Sequence, residues 1–191
     1  MDALFGILSA FGLSASAGVN AYIPLLIVGV IAHYTDAIKL SPPFDWLANA
    51  WVLIVIGILL IIEMLADKIP AVNHINDIIQ TVIRPAAGAI LFAASAHVIT
   101  NVHPVIAVIC GLLVAGSVHV VKAAIVRPAV TATTGGTANI PVSIAEDVAA
   151  SVVSILSIVV PYLIGIFLVL FIALVIWLLW RWANRKRQAV S

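Results

Sequence analysis

From Val148 to Trp180 the chain carries no charged residue, and that stretch alone rules out an ordinary water-soluble fold. A run this long and apolar suits a lipid bilayer, where roughly 20 helical residues cross the hydrocarbon. Similar runs recur along the whole chain, separated by short polar junctions. Hydrophobic residues make up 64% of it, charged residues 9%, and the mean hydropathy is +1.24. Because backbone polar groups in lipid have to be satisfied within a segment, the pattern predicts an all-α, polytopic transmembrane helix bundle of about six spans. Residues 1–182 then form one transmembrane domain and 183–191 a basic cytoplasmic tail.

The charges set an orientation. With both termini cytoplasmic, Lys68, Arg84, Lys122, Arg127, Arg181, Arg185, Lys186 and Arg187 all fall inside and only Lys39 outside, as the positive-inside rule expects. The net charge of +1 is a near-cancellation, not a surface for nucleic acid. Met1–Ala17 ends in the small residues of a signal-peptide cleavage site. Its start, however, carries Asp2 and no Lys or Arg, and the apolar run continues to Ala32, so a retained first span is expected. Cys110 is the single cysteine, which excludes an intrachain disulfide or thiolate metal cluster. In its apolar run it reads as a small hydrophobe. Neither end carries a lipidation signature.

The first apolar stretch is too long for one simple span. Its middle, with Gly12, Ser14, Ser16, Gly18, Asn20 and Pro24, predicts a broken helix with Ser14–Asn20 non-helical and the Asn20 amide satisfying the freed backbone. The alternative is close helix packing through small residues. An outer loop over 35–50 follows, with Trp46 and Trp51 in an outer aromatic belt, then a second span over about 51–66. The mixed polar and apolar segment 71–83 suits an interfacial helix. A third span is expected to start at Arg84-Pro85, where Pro suits a first helical turn, and to end near Thr100. The fourth runs from the His103-Pro104 turn to Arg127-Pro128, followed by a flexible polar loop over 131–141. Ser143 and Glu146 have capping-box spacing. The long final run divides near Pro161 into two spans, or forms one kinked helix. Trp177, Trp180 and Trp182 make an inner belt. Gly18–Pro24 echoes Gly136–Pro141, and Arg84-Pro85 echoes Arg127-Pro128, which suggests an inverted repeat.

The string Phe11–Tyr22, the segment Glu63…Asp67-Lys68-Ile69-Pro70, Arg84–Ala89 and the Gly-Gly-Thr-Ala-Asn-Ile-Pro loop together resemble the bacterial membrane family catalogued as domain of unknown function 4126. The resemblance spans nearly the whole chain and implies a small multi-pass protein of the bacterial cytoplasmic (inner) membrane. It implies no reaction or substrate.

Chemistry is therefore sought in the charged residues of the junctions. Ionisable groups in or near lipid are costly unless paired or wet, and so mark functional cavities; as helix-end anchors they would be structural. Glu63 lies one turn inside Asp67 on the same face, flanked by apolar residues, and suits a proton or cation carrier. Asn20, Glu63, Asp67, Lys68, Asn139, Glu146 and Asp147 are the candidates for a transport path or its gate. Arg84, Lys122 and Arg127 are candidates for an anion site, with Arg84 expected at a helix start where free N–H groups favour a phosphate or carboxylate. Glu63, Asp67, Arg84 and Arg127 are expected to converge, with at least one Arg–carboxylate contact. His119 reads as a packed, hydrogen-bonding residue. No Walker loop, zincin pair or nucleophile elbow occurs, and the scattered histidines form no metal pattern, so neither an enzyme nor a cofactor is expected. The residues favour a channel or secondary transporter for an inorganic ion or phosphate-bearing anion, including a lipid headgroup. The alternative is a non-transporting scaffold. The expected partners are the bilayer, a small ion or anionic solute, and further copies of the chain.

Overall fold

The computed structural model describes residues 2–40, 42–68, 70–95 and 102–188. Every regular element among them is helical: α1 (Asp2–Val19), α2 (Tyr22–Tyr34), a short 3-10 turn (Phe44–Ala48), α3 (Ala50–Ala66), α4 (Pro70–Ser95), α5 (Pro104–Val121), a π turn (Lys122–Val126), α6 (Arg127–Thr134), α7 (Asn139–Val159) and α8 (Pro161–Gln188). Three helices are long and apolar enough to cross a membrane: Ile78–Ser95 within α4, the continuous rod Pro104–Thr134, and α7. The outward faces are apolar, with Ile58 and Ile61 of α3, Leu113 of α5, Val152 of α7 and Phe167 and Leu170 of α8 all exposed. Apolar surface this continuous is expected where lipid is the solvent.

Side-chain pairings give the helix directions. Arg84 meets Glu63 and Asn76 meets Asp67, so α3 and α4 run antiparallel. Arg84 also meets His119, and a methyl on Gly88 would strike Ala115 and the Gly111 carbonyl, so α4 and α5 are antiparallel and in backbone contact. Ser14 donates to the Gly88 carbonyl and Ser16 to the Ala150 carbonyl, which sets α1 against α4 and α7. Phe5 and Gly6, at the start of α1, share a cavity with Ala37–Lys39, just beyond α2. α1 and α2 are thus two arms of a hairpin whose tip is Asn20-Ala21. Pro161 lines the same cavity, and Gly165 packs on Leu8, so α8 starts beside α1. The bundle has a Lys39 end, where α1 and α8 begin, and an Arg127 end.

Several sequence expectations are corrected here. Ser14–Val19 is helical, and the break is confined to Asn20-Ala21. The small residues upstream instead permit close packing, Gly12 against Ser157 and Gly18 against Ala115 and Val118. The expected interfacial helix over 71–83 and the third span are a single helix, α4, with Pro85 inside it. A proline there forfeits a backbone bond but is tolerated where neighbouring helices enclose the gap. The Arg127-Pro128 junction does not end its helix either, because the preceding π turn absorbs the proline. The loop expected over 131–141 shrinks to four residues around Gly135 and Gly136, whose positive φ of 60° and 88° ends α6. Ser143 lies inside α7 and does not cap it. The division at Pro161 is as expected, with α7 ending at Val159. With seven continuous helices among the described residues, a three-plus-three repeat does not match the order, although both Arg-Pro pairs do carry their Arg to the same place. The expected end of the third span near Thr100, together with His97, lies outside the described residues, as do the side chains of Arg185, Lys186 and Arg187.

Candidate functional site

α1 stops inside the bundle, and a helix that stops there leaves bare carbonyls behind it and bare N–H groups ahead. The chain answers both. Lys122 Nζ donates to the Val19 carbonyl at 2.9 Å, a cation where the dipole of α1 favours one. Asn20 Oδ1 accepts from the N–H groups of Tyr22 and Ile23 at 3.0 and 3.2 Å, as an N-cap does, and Asn20 Nδ2 donates to Asp147 Oδ1 at 3.0 Å. The expected role of the Asn20 amide is therefore present.

Around this tip, four other elements bring charge together. Glu63 and Asp67 sit one turn apart at the end of α3. α4 presents Asn76, Gln80 and Arg84 at four-residue spacing on one face. The continuous rod of α5, its π turn and α6 carries His119, Lys122 and Arg127, and α7 carries Ser143, Glu146 and Asp147. Arg84, fully buried, donates through Nη2 to Glu63 Oε1 at 3.0 Å, while its Nη1 lies 3.1 Å from His119 Nδ1. His119 Nε2 reaches Thr81 Oγ1 at 3.1 Å. Arg127 Nη2 donates to Asp67 Oδ2 at 2.7 Å and to Glu146 Oε2 at 3.1 Å. Lys122 Nζ meets Glu146 Oε2 at 2.9 Å. Positions five apart point roughly 140° from each other on an α-helix. The π turn, closed from Lys122 to Arg127, brings both cations onto the one carboxylate.

Asp67, just past the end of α3, shows how such a group stays charged. It accepts from Asn76 at 2.9 Å, Arg127 at 2.7 Å and Ser143 at 3.1 Å. Burial opposes its ionisation, but the Arg127 and Lys122 charges and the Arg127 hydrogen bond outweigh that, holding the carboxyl below the ordinary carboxylate range.

Glu63, Asp67, Arg84 and Arg127 converge as the sequence suggested, and Asn20, Lys122, Glu146 and Asp147 join them. Asn139 does not: it pairs with Thr131 in an exposed position beyond the cluster. Lys68 stands at the rim, bonded to the Met64 carbonyl. Arg84 lies mid-helix, so no helix N-terminus supports an anion there. Sequence reasoning missed Gln80, Asn76 and Ser143. The four-residue spacing of Asn76, Gln80 and Arg84 was a signal for the first two, obscured by assigning a helix start to Pro85.

A second feature lies at the Lys39 end, apart from the cluster. A cavity of about 270 Å³ is lined by Phe5, Gly6, Ser9, Lys39, Ser95 and Ile158 and, deepest along α1, Leu13. Past Leu13 the α1–α7 seam is polar, with Ser16 Oγ 2.7 Å from Ser154 Oγ and Ser157 facing Gly12.

No curated protein and no solved structure matches the chain. A family profile matches residues 7–181, nearly the full length, and the chain belongs to the family described as domain of unknown function (DUF4126).

Proposed function

We propose that this protein is a small integral membrane transporter or channel for an inorganic ion. The observation that carries the reading is the assembly of buried Glu63, Asp67, Arg84 and Lys122 with half-buried Arg127, Glu146 and Asp147 at the tip of a helical hairpin. Arg84 sits about 17 Å, eleven helical residues, from the end of α4. Ionisable groups at such depth are retained for ion pathways and relays, and helices broken at mid-bundle are where transporters place their sites. All three cations of the assembly engage carboxylates, so the cluster favours a positively charged passenger over a phosphate-bearing anion.

The orientation follows from charge. The Arg127 end, with Lys68 and Arg127, faces the cytoplasm of a bacterial cell. Because α1 begins at the Lys39 end, the N-terminus then lies outside, in place of a cytoplasmic N-terminus. Flux of labelled sodium, rubidium, chloride and phosphate and of protons into liposomes holding the purified chain tests the reading. Vesicles no leakier than empty ones to every ion would give the lead to a scaffold role.

A further inference from the structure

A serine hydroxyl inside a helix has the carbonyl one turn back within reach. Ser151, Ser154 and Ser157 use it, Ser117 bonds the Val114 carbonyl, and Ser14, Ser16 and Ser143 cross to neighbouring elements. Ser9, in the first half of α1, and Ser95, the last residue of α4, are the exceptions. Neither hydroxyl has a protein partner among the described residues. Far apart in sequence, the two line one cavity, the space of about 270 Å³ at the Lys39 end. Lys39 lines it as well, exposed and without an ion pair among the described residues.

Two idle hydroxyls and an idle ammonium in one small cavity are donors in want of an acceptor, and together they suit an oxyanion. No carboxylate lines the space; Asp36 and Asp45 belong to the same end of the molecule but not to its wall. A metal cation would therefore meet Lys39 with nothing to offset the repulsion. The remaining wall is largely hydrocarbon, with Phe5, Leu13 and Ile158. Exposed Trp46 and Trp51 mark this end as the level of the bilayer surface, where headgroups give way to chains. The volume falls below the roughly 300–1,000 Å³ that encloses a drug-sized molecule. It takes a head and the first carbons of a chain, and the rest leaves through the open side. We propose that this cavity binds the head of an anionic amphiphile, a carboxylate or phosphate joined to hydrocarbon. Lys39, Ser9 and Ser95 hold the oxyanion, and Phe5, Leu13 and Ile158 hold the start of the chain. The site stands apart from the charge cluster and does not depend on the transport reading.

Such a head belongs either to a free fatty-acid-like carboxylate or to an anionic phospholipid of the bilayer, and the test has an arm for each. In the first, the full chain in dodecyl maltoside micelles is titrated by calorimetry with octanoate and with octylamine, which carries the same chain on a cationic head. Wild type should bind one octanoate saturably and no octylamine. Lys39→Met should weaken octanoate binding roughly ten- to a hundredfold, as losing a hydrogen bond to a charged group does, and Ser95→Ala should weaken it less. The first side chain is exposed and the second change removes one oxygen, so both variants should stay folded. Arg181→Met, which removes a cation elsewhere, should bind as wild type does. In the second arm the chain is held in nanodiscs of phosphatidylcholine and phosphatidylglycerol in equal parts, and mass spectrometry counts the lipid it keeps. One phosphatidylglycerol retained by wild type and lost in Lys39→Met assigns the site to phospholipid; octanoate binding alone assigns it to a free amphiphile. Absence of binding in both arms, equal uptake of octanoate and octylamine, or binding that ignores Lys39→Met would overturn the site. Neither arm measures flux, so each of these results leaves the transport reading where it stood.

Discussion

Replacing Asn20 by Ala tests the hairpin tip, and the size of the effect follows from the contacts it removes. The Asn20 carbonyl oxygen caps α2 through Tyr22 and Ile23, and its amide holds Asp147. Loss of an N-cap costs about 1 kcal/mol. A hydrogen bond to a charged group contributes ~1.5–3 kcal/mol in water-soluble proteins, but interhelical hydrogen bonds in membranes average only about 0.6 kcal/mol and reach about 1.7, because the unfolded chain in lipid also finds partners. The Asp147 bond, being charge-assisted, belongs near the top of that range. Together the two terms make ~2.5 kcal/mol, close to a hundredfold in the folding equilibrium at about 1.4 kcal/mol per tenfold. Asn20→Ser keeps a cap oxygen without the reach to Asp147, so it should lose only the second term, ~1.5 kcal/mol. The assay is unfolding by denaturing detergent in mixed micelles, followed by tryptophan fluorescence, with the Asn20→Ala and Asp147→Ala cycle isolating the pair. An Asn20→Ala variant within about 0.5 kcal/mol of wild type, the ordinary range for unremarkable surface changes, would show that the break is held by something else.

Gly88→Val should destabilise by roughly 1–3 kcal/mol through overpacking, since any side chain there meets Ala115 and the Gly111 carbonyl. Gly57→Ala, with nothing within 4 Å, should be neutral or stabilising in the same unfolding assay. In a chain with Cys110 replaced by Ala, single cysteines at Leu4 and Lys39 should label from one face of the membrane and one at Thr133 from the other; Leu4 labelling with Thr133 would refute the hairpin. The folded Asp67 carboxyl titrates below its ordinary value of 3.8, so its ion pair stabilises the protein above that pH and is lost as pH falls through the lower folded value. Acid unfolding should accordingly lose part of its pH dependence in Asp67→Asn, and an unchanged acid limb would place the effect in other carboxylates.

What could be read from sequence depended on whether a local cost forced a single answer. The convergence of Glu63, Asp67, Arg84 and Arg127 was legible because a buried charge needs a counter-charge. The division at Pro161 was legible because proline after a long apolar run ends a helix. Arg84-Pro85 was not: proline at a helix start and proline inside a helix have the same local sequence, and the helices enclosing Pro85 decided between them. Ser14 to Gly18 could serve a break or a close contact, and only the positions of Gly88, Ala115 and Ala150 settle which. The reversal at Asn20 was beyond local reading altogether, because the residue that anchors it, Asp147, is 127 positions away.

The irregular features of this backbone depend on one another. The tip of the α1–α2 hairpin leaves the Val19 carbonyl bare, and Lys122 fills it. Lys122 would be an unbalanced charge there without Glu146. Glu146 in turn is held by Arg127, which an uninterrupted α-helix would direct roughly 140° away from Lys122; the π turn prevents that. Pro128 withholds an N–H from the turn before it, which favours the wider turn over a regular one. Arg127 then reaches past Glu146 to Asp67, fixing the end of α3 one turn from Glu63. A defect at any of these points would pass to the next, so the lesion in Asn20→Ala should be felt at Glu63 although the two side chains share no hydrogen bond.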